Sequence, residues 1–177
     1  SGHLEVVKYL VEEHNENIHA DNEYIIRKKK KNGQLHMVKY LVSKGADIHA
    51  LDEYALRYSA ENGHLDVVKY LVEGYQADIH ADNEYALRYS ARNGHLQVVK
   101  YLVSKGADIH ALDDTAIKWS ASNGHLEVMK YLVEGHNADI HASDTAVLKL
   151  SASNGHLEVV KYLGSKGANI HAENEYA

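Results

Sequence analysis

One ten-residue phrase, Gly-His-Leu-x-Val-Val-Lys-Tyr-Leu-Val, recurs through this chain of 177 residues. Four copies are complete or differ by a single Met, and two are looser; they begin at Gly2, Gly33, Gly63, Gly94, Gly124 and Gly155. The interval between them alternates between 31 and 30 residues. Self-similarity at that period predicts a solenoid of stacked supersecondary units. Such arrays usually present binding surfaces and carry no chemistry of their own.

Bulk composition excludes several classes of protein. The formal net charge is −6 and the isoelectric point is about 6.1, so binding to nucleic acid or anionic membrane over the whole surface is not expected. No apolar run approaches the roughly 18–20 residues of a membrane span, and the first residues resemble neither a signal nor a transit peptide. The chain has no cysteine, which rules out disulfides and thiolate metal sites and favours a reducing, cytoplasmic setting.

The unit Asp52–Ala81 carries the pattern of two short helices. All six copies have Asn or Asp at the position of Asp52, the residue type that an N-cap needs, and an acidic residue follows in five of them. The first helix should span about nine residues and end at Gly63, because glycine readily adopts the left-handed conformation. The second runs from His64 to about Glu73 with an apolar stripe at helical spacing. Helices this short are marginal alone, so stacking must stabilise them.

The repeated unit resembles the ankyrin repeat. The family's Thr-Pro-Leu-His-x-Ala-Ala opening corresponds to Tyr54–Ala60 and to Thr115–Ala121, and Asn-Gly-His and Gly-Ala-Asp-Ile-His-Ala follow where the family has its turns. The resemblance covers essentially the whole chain. Lysine-rich, proline-free repeats of this kind are also similar to the large ankyrin sets of giant DNA viruses. That similarity implies a viral protein acting on host proteins, in the host cytoplasm or in the virion.

The period is shorter than the roughly 33 residues of the family. The missing residues lie between Ile-His-Ala and the next helix, where ankyrin repeats form a β-hairpin finger. We therefore expect an all-α, ankyrin-like solenoid of helix-turn-helix repeats whose fingers are reduced to tight turns or absent.

The repeat boundaries follow from the same alignment. One array occupies 1–177, and we expect it to be a segment of a longer one; its parts are a second helix at 2–13, repeats at about 21–50, 51–81, 82–111, 112–142 and 143–172, and the start of another at 173–177. Every second connector is one residue longer, so the genetic unit is a pair of 61 residues. The longer connectors place His14, Tyr75 and His136 along one edge.

Fourteen histidines raise a metal hypothesis. Most fall in two columns, one in Ile-His-Ala and one after the glycine that joins the helices. Stacked helices lie roughly 8–10 Å apart, whereas Zn–N distances are about 2.0–2.1 Å, so histidines of one column cannot share an ion. We interpret them as loop residues that hydrogen-bond to backbone groups of their own or a neighbouring repeat. No metal and no other cofactor is expected.

Two ladders of charge run along the first helices. Arg27, Arg57, Arg88, Lys118 and Lys149 form the basic one, and Glu23, Glu53, Glu84 and Asp114 form an acidic one four residues earlier. The spacing suits salt bridges within each helix. The resemblance implies instead a concave groove that binds a protein partner. The candidate partner-binding residues on that face are Glu53, Arg57, Glu61, Glu84, Arg88, Arg92, Asp114, Lys118 and Ser122.

A basic run interrupts the first full unit. It consists of Arg27, Lys28, Lys29, Lys30 and Lys31. Lys29 and Lys30 occupy positions where other copies have Ser-Ala between packed helices, and buried ammonium groups would be costly there. The run therefore predicts either a first helix that is displaced, frayed or poorly defined, or a patch that binds phosphate groups or an acidic partner.

No arrangement of residues indicates catalysis, since the phosphate-loop, metalloprotease and nucleophile-elbow motifs are all missing. The favoured function is a protein–protein interaction scaffold with an unidentified partner. Two alternatives stay open: a structural or self-assembling repeat protein of a viral particle or filament, and nucleic-acid binding through the run at 27–31. No membrane association is expected.

Overall fold

The computed structural model describes residues 34–136 and 144–168. These residues form nine helices and no strand, which confirms the all-α prediction. The helices are α1 Gln34–Ser43, α2 Ala50–Glu61, α3 Leu65–Tyr75, α4 Ala81–Arg92, α5 Leu96–Ser104, α6 Ala111–Ser122, α7 Leu126–His136, α8 Asp144–Ser153 and α9 Leu157–Ser165. The helix expected at 2–13, the first helix of the unit 21–50 and the start of a repeat at 173–177 lie outside the described residues.

The helices stack in two layers. First helices α2, α4, α6 and α8 each contact the next in the series, and second helices α1, α3, α5 and α7 do the same. The core lies between the layers, where Leu56 and Leu87 of the first layer and Val68 and Leu102 of the second are fully buried. Each repeat therefore buries its apolar face against its neighbours, as a solenoid requires.

Glycine ends each complete first helix as expected. Gly63, Gly94 and Gly124 have φ of 75°, 76° and 77°, in the left-handed region. Just beyond the turn, the amide of His64 donates to the carbonyl of Ser59 at 2.9 Å. The chain thus reverses and enters the second helix within three residues.

The β-hairpin finger is replaced by a left-handed turn in the described part of the chain. Leu51, Asp52 and Glu53 have φ of 54°, 56° and 59°, and the corresponding residues of the next two repeats do the same. The prediction of a reduced finger is confirmed. Left-handed backbone costs roughly 1–2 kcal/mol per residue outside glycine, so contacts elsewhere must hold this turn.

The prediction that the Asn/Asp column supplies N-caps is wrong for three of its members. Asp52, Asn83 and Asp113 lie within the left-handed turn and are exposed, whereas an N-cap has extended backbone. The aspartates of the connector form the local turn instead: Asp47 and Asp78 each accept a 2.9 Å hydrogen bond from the amide two residues later. This is the Asx-turn geometry.

Candidate protein-binding surface

The acidic residue that ends each left-handed turn is buried. Glu53, Glu84 and Asp114 are 7, 4 and 8 % exposed, and each contacts the histidine four residues earlier, as in the 2.7 Å bond from His110 Nδ1 to Asp114 Oδ1. Glu53 also accepts a 3.1 Å hydrogen bond from the amide of Asp78 in the next repeat. A buried carboxylate needs polar partners. Each of the three finds one in the histidine at the start of the turn, and this contact holds the two ends of the turn together. The predicted display of these carboxylates to a partner is therefore wrong.

The pKa values of two of these histidines, His49 and His80, are raised. The hydrogen bond that His49 donates to the Glu53 carboxylate raises the pKa of His49, and the bond to Glu84 raises the pKa of His80 in the same way. Both imidazoles are about half exposed. The interpretation of this column as backbone-bonding is thus replaced by a pairing with a buried acid.

The other histidine column joins successive repeats. His95 Nε2 lies 2.9 Å from the carbonyl oxygen of Glu61, and Asn93 donates to the same oxygen at 2.8 Å. His156 repeats the contact on the carbonyl of Ser122 at 3.0 Å. This confirms the interpretation of these histidines as backbone-bonding residues. Burial lowers the pKa of His64, His95 and His125, so the neutral form suits the stack.

The basic ladder makes contacts that the sequence did not predict. Arg57 pairs at 2.5 Å with Asp82 of the next repeat and also donates to the carbonyl of Leu51, whereas Lys118 pairs with Asp113. The predicted salt bridges from Glu53 to Arg57 and from Asp114 to Lys118 are wrong, since the carboxylates turn inward.

Arg88 is buried and does not stand on an open groove. It is 7 % exposed and donates to the main-chain carbonyls of Asn83 and Asp82 at 2.7 and 2.8 Å. Its predicted display is corrected accordingly. Of the remaining candidates, Arg92 is exposed and Glu61 and Ser122 are half-buried. The basic run at 27–31 and Glu23 lie outside the described residues.

Aromatic side chains line the same face of the first helices, and the sequence reasoning missed them. We name this set the aromatic strip; its members are Tyr54, Tyr58, Tyr85, Tyr89 and Trp119. Tyr85 stacks on Tyr89 with ring centroids 3.9 Å apart, and Tyr89 meets Trp119 edge-on at 5.0 Å. An aromatic residue at the same place in three successive first helices was the available signal, since Tyr58, Tyr89 and Trp119 share one repeat position.

An open cleft of about 320 Å³ lies at the N-terminal end of the aromatic strip. Tyr54, Tyr58 and Tyr85 line it together with Arg57 and Glu61. The hydroxyl of Tyr85 donates to Glu61 Oε2 at 3.0 Å, and the Arg57 guanidinium lies 5.0 Å from the Tyr85 ring centre. Burial, then the bond to Glu61, raises the pKa of Tyr85.

On the second-helix face, contacts between neighbouring repeats recur at every second repeat. Glu73, at the start of the longer connector, accepts a hydrogen bond from the Tyr101 hydroxyl at 3.2 Å and pairs with Lys105 at 3.4 Å. Glu134 does the same with Tyr162 and Lys166 two repeats later. Burial, followed by these hydrogen bonds, raises the pKa of Tyr101 and Tyr162 to about 12. The described structure therefore repeats contacts with the period of the 61-residue pair.

The extra residue of the longer connector also has a fixed place. Tyr75 lies against Tyr70, with the two hydroxyls 2.9 Å apart, and His136 lies edge-on to Tyr131 at 4.8 Å. Each is the last residue of its second helix and packs on a tyrosine of that helix. His14 is outside the described residues.

Comparisons with known proteins agree with this architecture. A family model described as ankyrin repeats, in three copies, matches residues 28–113 and 110–174. No curated protein matches the sequence. Within 34–136 and 144–168, no three His, Asp or Glu side chains come together as a metal site would need, and no helix could cross a membrane. Most of the sequence falls within the family match, and the stacked helix pairs agree with it: the chain belongs to the ankyrin-repeat family.

Proposed function

We propose that this chain binds a protein partner through the aromatic strip and the adjoining side chains Arg92 and Leu150. Ankyrin repeats are generally protein–protein interaction modules, and the family is typically non-catalytic. The observation that carries the proposal is the contact of Tyr89 with Trp119, with the exposed Arg92 beside both rings. Trp, Tyr and Arg are the residues that most often dominate the binding energy of an interface.

Exposed apolar surface beside the rings supports this choice. On the first-helix face Leu150 follows Trp119 in the same column and is 45 % exposed. Apolar surface of this kind next to rings is what a partner can bury.

Variants of the strip test the proposal. Tyr58→Ala with Leu150→Ser changes the shape of the first-helix face, and Lys69→Ala with Lys100→Ala makes an equal number of changes on the second-helix face. Proteins recovered from a lysate by the wild-type chain should also be recovered by the lysine variant and lost with the strip variant. Recovery of the same proteins by both variants would contradict the proposal. Circular dichroism melting and sedimentation of each sample control for folding and for self-association.

The kind of partner and its location are part of the proposal. The resemblance to viral ankyrin arrays supports a host protein as the partner. The lack of cysteine throughout the sequence supports a reducing compartment, the cytoplasm. We propose no catalytic role for any residue.

A further inference from the structure

Two arginines lie over the same pair of rings in the aromatic strip. The guanidinium carbon of Arg92 is 5.5 Å from the ring centre of Tyr89 and 5.4 Å from that of Trp119. Arg88 approaches the same rings at 5.9 and 5.6 Å. All four distances are within the range of cation–π attraction. The rings thus hold two positive charges close together.

Neither of these charges is neutralised within the described part of the chain. Arg88 donates to two main-chain carbonyls, and the Arg92 guanidinium lies over two rings with no carboxylate of the described residues in ion-pair range. By contrast, Arg57 and Lys118 of the same ladder each pair with an aspartate. The exposed guanidinium of Arg92 therefore keeps its N–H donors available in a planar fork, the geometry that matches a carboxylate.

We propose that this cluster, defined by Arg88, Tyr89, Arg92 and Trp119, binds a carboxylate side chain of an acidic segment in the protein partner. The proposal rests on the function proposed above and names the chemistry of its central contact. Arg92 supplies the bidentate donor, and the buried Arg88 adds positive potential beside the rings. The rings fix the guanidinium plane, so little side-chain freedom is lost on binding.

The residues around the cluster indicate which side chains the bound segment should carry near its acidic residue. Glu61 of the preceding repeat and Ser122 of the following one occupy the repeat position of Arg92. At this position, only one of the three repeats carries a positive charge. Leu150 lies one repeat beyond Trp119, which is roughly 8–10 Å. An extended chain advances about 3.3 Å per residue. An apolar side chain about three residues from the acidic one would therefore reach Leu150.

Charge favours a protein segment over single-stranded nucleic acid, although stacked bases also bind aromatic rings near arginine. The chain carries a net charge of −6. Carboxylates flank the cluster as well, since Glu61 lies in the cleft beside Tyr85 and Asp113 is exposed beside Lys118. A run of phosphates along the first helices would meet these acids, whereas a single carboxylate at Arg92 would not.

The single tryptophan of the chain is Trp119, so its fluorescence reports on this cluster alone. The probes are twelve-residue peptides without tryptophan, selected from a random library on the wild-type chain. We expect the selected peptides to be enriched in Asp or Glu and to change Trp119 fluorescence. Replacing the acid by its amide should weaken binding to the wild type about tenfold, the effect of one charge-assisted hydrogen bond.

Matched variants separate the cluster from general effects. With Arg92→Gln the tenfold difference between acidic and amide peptides should disappear, and with Arg92→Lys it should shrink. With Lys100→Gln, which removes a lysine that lies over Tyr131 on the opposite face, the difference should stay. Melting curves verify that each variant folds, as expected for changes at exposed positions.

Several outcomes overturn the proposal. Peptides that change Trp119 fluorescence but bind equally well as amides would refute the carboxylate contact and leave the proposed binding face standing. The proposal would also be refuted if no peptide could be selected, or if the selected peptides bound Arg92→Gln as tightly as the wild type. The lysate experiment tests separately whether the first-helix face binds a partner. Tighter binding of a twenty-residue oligothymidylate, with quenching of Trp119, would assign the cluster to nucleic acid.

Discussion

The imidazole of His156 lies against Gly124 of the preceding repeat, so closely that a β-carbon on this glycine would be 2.5 Å from Nδ1. The same relationship joins His125 to Gly94 and His95 to Gly63. Glycine is therefore needed at this position for two reasons: the backbone has a positive φ, and the histidine of the next repeat fills the space that a β-carbon would occupy.

Gly124→Ala should destabilise the array more than Gly155→Ala. Both glycines have φ of 77°, but a β-carbon at Gly155 meets no atom of the described residues within 4 Å. Left-handed backbone costs alanine about 1–2 kcal/mol at either site, and displacing His156 adds about 1–3 kcal/mol at Gly124. Urea unfolding measures the difference. Equal losses for the two variants would show that the histidine moves away without cost.

The free energy of unfolding should fall as the pH drops below 6.5, and part of this loss should depend on His95. Burial lowers its pKa in the folded chain below the ordinary 6.5, so its contribution is complete above pH 6.5 and is lost as the pH falls through the folded pKa. His95→Gln should reduce the loss of unfolding free energy between pH 7 and 5. Asn93→Ala is the control, because Asn93 donates to the same Glu61 carbonyl without titrating. It should lower stability without changing the slope.

The free energy of unfolding should fall as the pH rises above 6.5, and this loss should depend on His80. The Glu84 carboxylate, and more weakly Asp78 and Asp108, raise the pKa of His80 above 6.5. The stabilisation is therefore complete below pH 6.5 and is lost as the pH rises through the raised pKa. In Glu84→Gln the pKa of His80, followed by NMR of its ring protons, should fall. Asp108→Asn should lower it less, and an unchanged pKa in Glu84→Gln would contradict the pairing.

Leu102→Ala should be among the most damaging changes in the core. This side chain is fully buried between neighbouring repeats, and leucine-to-alanine changes at such sites cost about 2–5 kcal/mol. Leu112→Ala is the matched control, since Leu112 is 55 % exposed in the left-handed turn. It should change the unfolding free energy by less than about 0.5 kcal/mol. Similar losses would contradict the assigned burial.

Periodic features were predictable because they depend on local chemistry repeated many times. The two-layer stack, the glycine at each helix end and the shortened finger all follow from spacing in the sequence, and the structure confirms them where it describes the chain. The binding residues were predicted less well. Arg92 is exposed and its role in binding stays a prediction, whereas Arg88 was expected on the surface and is buried.

The sequence by itself determined that this chain is a helical repeat array, because a solenoid needs only a recurring apolar pattern and a recurring turn. Only the tertiary structure decided which way the acidic residues face. The left-handed turn buries Glu53 beneath the next repeat, and Arg57 pairs with Asp82, 25 residues away in the sequence. Those contacts join neighbouring repeats, so no pattern within one repeat could specify them, and they leave the rings of Tyr89 and Trp119 as the surface beside Arg92.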